Sequence, residues 1–154
     1  MRVLAPLRHP TGRVPGQRYR IEQWAPLLRQ EGIEVIYSSF LTQRAMDLLY
    51  QPGHLTSKAV ATLRGYGRRL TEILLPGLPD VVFVHREAAF LGPAWLERMF
   101  AWRRPLVFDF DDAIYLLDTS PANAWAQVFK SPGKAAAICR LAHSVTVGNE
   151  TLAG

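Results

Sequence analysis

Three carboxylates fall within four positions in Leu106-Val-Phe-Asp-Phe-Asp-Asp-Ala-Ile114: Asp109, Asp111 and Asp112. The apolar run before them reads as a buried strand. Like charges this close raise one another's pKa unless a cation, a metal ion or hydrogen-bond donors offset them. The segment is therefore a site, or else a solvated Asp-rich turn that caps the next helix. Three chemistries suit it. One is phosphoryl transfer, with the first Asp as nucleophile, the second as acid/base and magnesium bound. Another is a D-x-D clamp that holds manganese on a nucleotide diphosphate. The last is metal-free transfer, in which a carboxylate binds or deprotonates a hydroxyl.

In a parallel sheet the ligand crevice lies at the carboxyl ends of the strands. Three more loops there carry polar groups. After the first apolar run comes His9-Pro-Thr-Gly-Arg-Val-Pro-Gly-Gln-Arg18, with Gly12 and Gly16. After the third comes His85-Arg86-Glu87, and after the fifth Gly148-Asn149-Glu150. The first loop offers backbone N–H groups ahead of a helix, so Gly12, Gly16 and Arg18 are expected near a phosphate. Its glycines do not fit G-x-G-x-x-G, and no Gly-Lys-Ser/Thr follows, so neither a dinucleotide fingerprint nor a P-loop is supported. His85 is expected to line the cleft as a base or as a hydroxyl partner. Arg86 and Asp109 join it as substrate-binding groups, or Arg86 simply pairs with Glu87. His54 and His143 lack a neighbouring ligand pattern, so no zinc site is expected. The overall expectation is no metal site and no cofactor.

Five strand candidates stand at Val3–Leu7, Ile33–Tyr37, Val81–Val84, Leu106–Phe108 and Ser144–Val147. Helical patterns separate them. Tyr19–Gln30 is interrupted by Pro26, which must kink the helix or mark a later start. Leu41–Tyr50 and Thr56–Leu75 follow, then a helix opened by Pro93 at its first position, then Lys134–Leu141. In Thr56–Leu75 the residues Val60, Leu63, Leu70, Ile73 and Leu74 share one face, and Lys58, Arg64, Arg68 and Arg69 the other. The expected arrangement packs the apolar face inward, as an ordinary surface helix. The basic face leaves peripheral contact with anionic lipid as the alternative. Alternating units of this kind predict an α/β fold: an open, mostly parallel, Rossmann-like sheet with helices on both faces.

The 154 residues suit one domain, and a hydrophobic fraction of 49% is that of a globular chain. No apolar run reaches the ~18 residues that span a bilayer. A single cysteine, Cys139, excludes an intrachain disulfide and fits a reducing, cytoplasmic setting. It is expected to be buried and inert. The net charge of +5 suits anionic partners. By itself the charge does not choose among nucleotide phosphates, acidic lipid head groups and nucleic acid; no nucleic-acid partner is expected.

The chain as a whole resembles the start of bacterial group-1 (family-4) glycosyltransferases. The resemblance lies in Pro15-Gly-Gln-Arg-Tyr-Arg-Ile-Glu-Gln-Trp24, Leu27-Leu-Arg-Gln-Glu-Gly-Ile-Glu-Val35 and His85-Arg-Glu-Ala. It continues through Gly92-Pro-Ala-Trp-Leu, Val107-Phe-Asp-Phe-Asp-Asp-Ala-Ile114 and Val145-Thr-Val-Gly-Asn-Glu-Thr-Leu-Ala153. It implies half of a GT-B fold: the N-terminal, acceptor-side domain of an enzyme that moves a sugar from a nucleotide-sugar to a hydroxyl, usually without metal and with retention. On this reading Asp111 and Asp112 bind the sugar or lipid-linked acceptor, or orient its hydroxyl, with His85 as the other candidate. Gly148 and Asn149 line the domain junction. The donor-binding domain with its E-x7-E motif has no counterpart in these residues. The expectation is an inactive half whose docking face favours self-association. Asp109-Phe-Asp111-Asp-Ala113 also resembles the D-x-D-x-Thr/Val motif of haloacid-dehalogenase-like phosphatases. Ala113 departs from that motif, and no convincing later Asp pair follows. A non-catalytic binding module of the same fold is the third reading.

Overall fold

The apolar runs form five strands in the computed structural model, which describes residues 1–49, 51–74, 77, 79–111 and 133–152. They are β1 (Arg2–Leu7), β2 (Glu34–Ser39), β3 (Val81–His85), β4 (Leu106–Phe110) and β5 (Ser144–Val147). Their spatial order is β2-β1-β3-β4-β5, and each neighbouring pair is parallel. Parallel neighbours need crossovers, and helices supply them. α1 (Pro15–Arg20) and α2 (Ala25–Gln30) join β1 to β2. α3 (Gln43–Leu49) and α4 (Leu55–Leu74) join β2 to β3, α5 (Trp95–Arg103) joins β3 to β4, and α6 (Lys134–Leu141) precedes β5. The chain is thus an α/β protein with an open parallel sheet of the Rossmann-like kind. The strand order reverses between β1 and β3. Ligands of open α/β sheets bind at the carboxyl ends beside such a switch point.

Two apolar cores hold the layers together. On one face Ala5 and Leu7 pack with Ile21, Leu28, Val35, Tyr37 and Phe83. On the other, Leu4, Val82, Val84, Leu106 and Phe108 meet Ile73 of α4, Leu96 and Phe100 of α5, and Ile138 of α6. Each fully buried side chain of this size is worth about 1.5–3 kcal/mol, so the second, larger core anchors the sheet. Among the described residues no helix is long and apolar enough to cross a membrane. Cys139, in α6, is half-buried rather than fully buried.

Several local expectations need correction. Tyr19–Gln30 is not one helix. α1 ends at Arg20, a 3-10 turn spans Glu22–Trp24, and α2 starts at Ala25. Pro26 then lies in the first turn of α2, where a missing N–H costs no helical bond. α5 starts two residues after Pro93, with the Trp95 N–H donating to the Pro93 carbonyl.

The faces of α4 follow the expectation only in part: Ile73 is buried and Arg64 and Arg68 are exposed, as expected, but the rest of the inward face is different. Its buried residues are Lys58, Gly65, Arg69 and Ile73, while Val60, Leu63 and Leu74 are exposed. Carbonyls at the strand ends and in the turn after β3 have lone pairs to spare, even at Leu7 O, which already accepts from the Phe40 N–H at 2.8 Å. The Arg69 guanidinium reaches three of them: Leu7 O at 2.7 Å, Ser38 O at 3.0 Å and Ala88 O at 2.9 Å. It also pairs with Glu72 at 2.8 Å. Five donors in a planar fork suit that task better than an aliphatic side chain. Gly65 is required where α4 crosses Phe40, because a Cβ would fall 2.5 Å from that ring.

Candidate functional site

Register builds the site. His85, the last residue of β3, lies opposite Asp109 of β4, which lies opposite Thr146 of β5. Paired residues project to the same face, so their side chains form a row across three strands. The Thr146 hydroxyl donates to Asp109 Oδ1 at 2.6 Å, and His85 Nδ1 stands 2.9 Å from Asp109 Oδ2. Arg20, at the end of α1, closes over the row. Its Nε lies 3.0 Å from Asp109 Oδ2, and its Nη2 donates to Oδ1. Both Asp109 oxygens are therefore engaged, and the residue is 2% exposed.

The electrostatics follow from these partners. Burial alone would raise the Asp109 carboxyl. Hydrogen bonds from His85, Arg20 and Thr146 outweigh burial and bring it down from 3.8 to about 2. In turn the bond to Asp109 raises the Arg20 guanidinium above its ordinary value. An ionised carboxylate only accepts, so His85 Nδ1 carries the proton in their bond. Nε2 then points away from Asp109, toward the start of α1. It lies 3.8 Å from where a Cβ on Gly16 would stand. It has no hydrogen-bond partner among the described residues.

Asp111, just beyond β4, forms the rim. Its Oδ1 accepts from Arg86 Nε at 3.0 Å and Nη2 at 2.8 Å. Burial pushes the Asp111 carboxyl up, but Arg86 wins and the net direction is down. Arg86 has φ of +63°. Its N–H donates to Asp109 O, and the Glu87 N–H to His85 O. Left-handed backbone at a non-glycine residue costs of order 1 kcal/mol or more, and such residues concentrate at functional sites. Two glycines make room. A Cβ on Gly16 would sit 3.0 Å from Asp111 Oδ2, and one on Gly148 3.0 Å from Asp111 Cα and 3.2 Å from its carbonyl oxygen.

The expected residues thus divide. His85, Arg86, Asp109, Asp111, Gly16 and Gly148 converge. Arg86 pairs with Asp111 there, not with Glu87, which lies 3.7 Å from Arg8. Asp109 belongs to the strand and sits beneath the site as its charged support. Arg18 is exposed, with its guanidinium 5.2 Å from the Tyr19 ring centroid, while Arg20 takes the place beside the carboxylates. The Gly12 N–H donates to Glu22 at 2.8 Å and so belongs to its own loop. The Asn149 side chain accepts from the Leu152 N–H at 3.0 Å, holding the turn after β5. Asp112 lies outside the described residues.

Arg20 and Thr146 are the members that sequence reading missed. Thr146 left a signal, a polar residue inside Ser144-Val-Thr-Val147. Arg20 left none beyond membership of a basic stretch. His9, at the switch point, is buried, edge-on to Phe90 at 5.0 Å and 3.1 Å from Met46 Sδ. Burial first, then the neighbouring charges of Arg8, Arg86 and His85, lower its pKa from 6.5 to about 3.

Among the described residues no three His, Cys, Asp or Glu side chains come together as a metal-ligand group. Comparison of the chain with family models, curated proteins and solved structures gives no significant match.

Proposed function

We propose that this chain forms the acceptor side of a sugar-transfer cleft, and that His85 is the group that meets the acceptor hydroxyl. The observation that carries the reading is the Asp109–His85 pair, with Nε2 left beside Gly16 and Asp111 without a hydrogen-bond partner among the described residues. An imidazole oriented by a buried carboxylate suits proton acceptance from a hydroxyl. The carboxylate fixes the tautomer and stabilises the imidazolium that forms. Arg86 and Asp111 add a donor and an acceptor at the rim, the mixture that a polyol needs. Turnover requires a donor-binding domain to place a nucleotide-sugar over this wall, because positioning supplies much of the rate of such reactions. The partners on this reading are a sugar or lipid-linked acceptor here and a nucleotide-sugar held mainly by that second domain.

The phosphatase reading asks Asp109 to be a free nucleophile. A carboxylate at about 2, with both oxygens bound by Arg20, His85 and Thr146, suits support rather than attack.

The test is an NMR titration of the chain with a panel of soluble oligosaccharides and, separately, nucleotide-sugars. Acceptor-type sugars should shift the His85 ring and the Gly16 and Gly148 amides, and His85→Phe should abolish this. Nucleotide-sugars alone should bind weakly. Sugar shifts mapping elsewhere would reject the assignment. Hydrolysis of p-nitrophenyl phosphate lost in Asp109→Asn would establish the phosphatase instead.

A further inference from the structure

The exposed side of α4, with Val60 and Leu63 among its residues, leaves a second feature, separate from the strand-end site. α3 and α4 border a cavity of about 410 Å³, within the size range of small-molecule sites. Its apolar wall comes from Phe40, Leu48, Val60 and Ala61. Three guanidinium side chains, Arg44, Arg64 and Arg68, share the lining with the hydroxyls of Thr42, Thr56 and Ser57. No carboxylate is among its described lining residues.

The three arginines are exposed at the mouth of the cavity, so their mutual repulsion is small and their positive charge is available to an anion. Arg64 and Arg68 are four residues apart on one helix, and like charges at that spacing oppose helix formation. Neighbouring acids are engaged elsewhere: Asp47 pairs with Arg13 at 2.5 Å, and Glu72 with Arg69 at 2.8 Å. Arg68 commits one N–H to Ser39 O at 2.6 Å, which fixes its direction. Arg44 and Arg64 have no ion-pair partner among the described residues. Guanidinium groups with hydroxyls form charge-assisted bonds to phosphate oxygens. The apolar wall beside them asks for a ligand that is not phosphate alone.

We propose that the α3–α4 cavity binds a phosphate monoester carrying an apolar body. Arg44, Arg64 and Arg68 hold the phosphate, the hydroxyls complete its shell, and Phe40, Leu48 and Val60 contact the apolar part. The same chemistry belongs to a soluble aryl or alkyl phosphate and to a phosphatidate head group with the start of its chains.

Calorimetry on the full chain with phenyl phosphate and with short-chain dihexanoyl phosphatidate tests this. At least one should bind saturably at one site. Arg44→Ala and Arg64→Ala should each weaken it about tenfold, as expected for losing one charge-assisted contact. Arg29→Ala removes an equal charge from exposed α2 and should leave binding unchanged. On the unaltered chain, ligand-induced shifts of the Val60 and Ala61 methyls should locate the site independently of any variant. Equal or better binding of phenyl phosphate identifies a soluble ligand. Preference for phosphatidate, retained on phosphatidylcholine vesicles doped with it, identifies a lipid. The proposal fails if neither probe saturates, if methyl shifts fall elsewhere, or if Arg29→Ala weakens binding as much as Arg64→Ala.

Discussion

Mild acid should destabilise this fold through one buried imidazole, His9. In the folded chain its pKa is lowered from 6.5 to about 3. In the unfolded chain it titrates near ~6.5. Above that value both states hold it neutral, and its contribution to stability is complete. As pH falls, the unfolded state takes up a proton that the folded state refuses. Stability is then lost at about 1.4 kcal/mol per pH unit until the folded pKa is approached. At about pH 5 the loss reaches roughly 2 kcal/mol. That figure depends almost wholly on the unfolded pKa, because the folded site stays neutral there. Against a typical total of about 5–15 kcal/mol it is a large fraction. His9→Phe removes the titration and keeps an aromatic edge toward Phe90. The swap can change stability by a pH-independent amount, so the quantity to measure is the difference in pH dependence. Urea unfolding followed by tryptophan fluorescence at about pH 7.5, 6 and 5 gives it. The wild type should lose roughly 2 kcal/mol more than His9→Phe between the extremes. Parallel pH profiles would show that His9 is protonated in the fold or reached by solvent, and the burial argument would fail.

Asp109 should behave in the same direction over a lower range. Its depression from 3.8 to about 2 is worth ~2 kcal/mol, present above the unfolded pKa and lost as pH falls toward the folded one. Urea unfolding at neutral pH should find Asp109→Asn less stable by at least that amount, with the gap to wild type closing between about pH 4 and pH 2; a constant gap would contradict it. The orientation of α4 is checked by a pair of variants in thermal unfolding. Leu63→Gln should change stability by less than about 0.5 kcal/mol, whereas Arg69→Leu should cost about 3 kcal/mol or more, since it removes a donor from three carbonyls and the guanidinium partner of Glu72. The opposite ranking would restore the inward apolar face.

The strands were legible because a doubly covered parallel strand must be apolar along its length. Runs such as Val81–Val84 and Leu106–Phe108 therefore stand out, while the edge strand Ser144–Val147 is largely exposed and shows by its β-branched residues, and the alternation of strands with helices leaves few topologies. Helix faces were harder. A wheel assigns the apolar stripe of α4 to the core on the assumption that polar groups gain nothing inside. The carboxyl ends of β1 and β2 and the turn after β3 supply an exception. Leu7 O, Ser38 O and Ala88 O hold lone pairs inside the protein that need donors, at Leu7 O a second one beyond the Phe40 N–H, and Arg69 provides them. That need is a property of assembled strand ends and cannot be read along the helix itself. Arg18 and Arg20 illustrate the same limit at shorter range. They differ by two positions, which puts them on opposite sides of a helix. Which one meets the carboxylates depends on where α1 stops and the 3-10 turn begins, and the residues from Tyr19 to Gln30 do not announce that break.

The site itself was half visible for a related reason. Each loop advertised its own polar residues, so His85, Asp109 and Asp111 were candidates from the start. Their relation was not visible, because the register of parallel strands is set by crossovers that may be any length. Register is what turns Asp109 from one member of an acidic cluster into a buried anion between His85 and Thr146. It also answers the electrostatic problem for two of the three carboxylates. Asp109 is answered by Arg20 and Asp111 by Arg86, so the two charges need no shared cation to coexist. With Asp109 and Asp111 each paired to a guanidinium, the group in the row left without a hydrogen-bond partner among the described residues is the far nitrogen of His85. On the proposed reading the acceptor hydroxyl meets that imidazole, with Asp109 as its support and Asp111 at the rim.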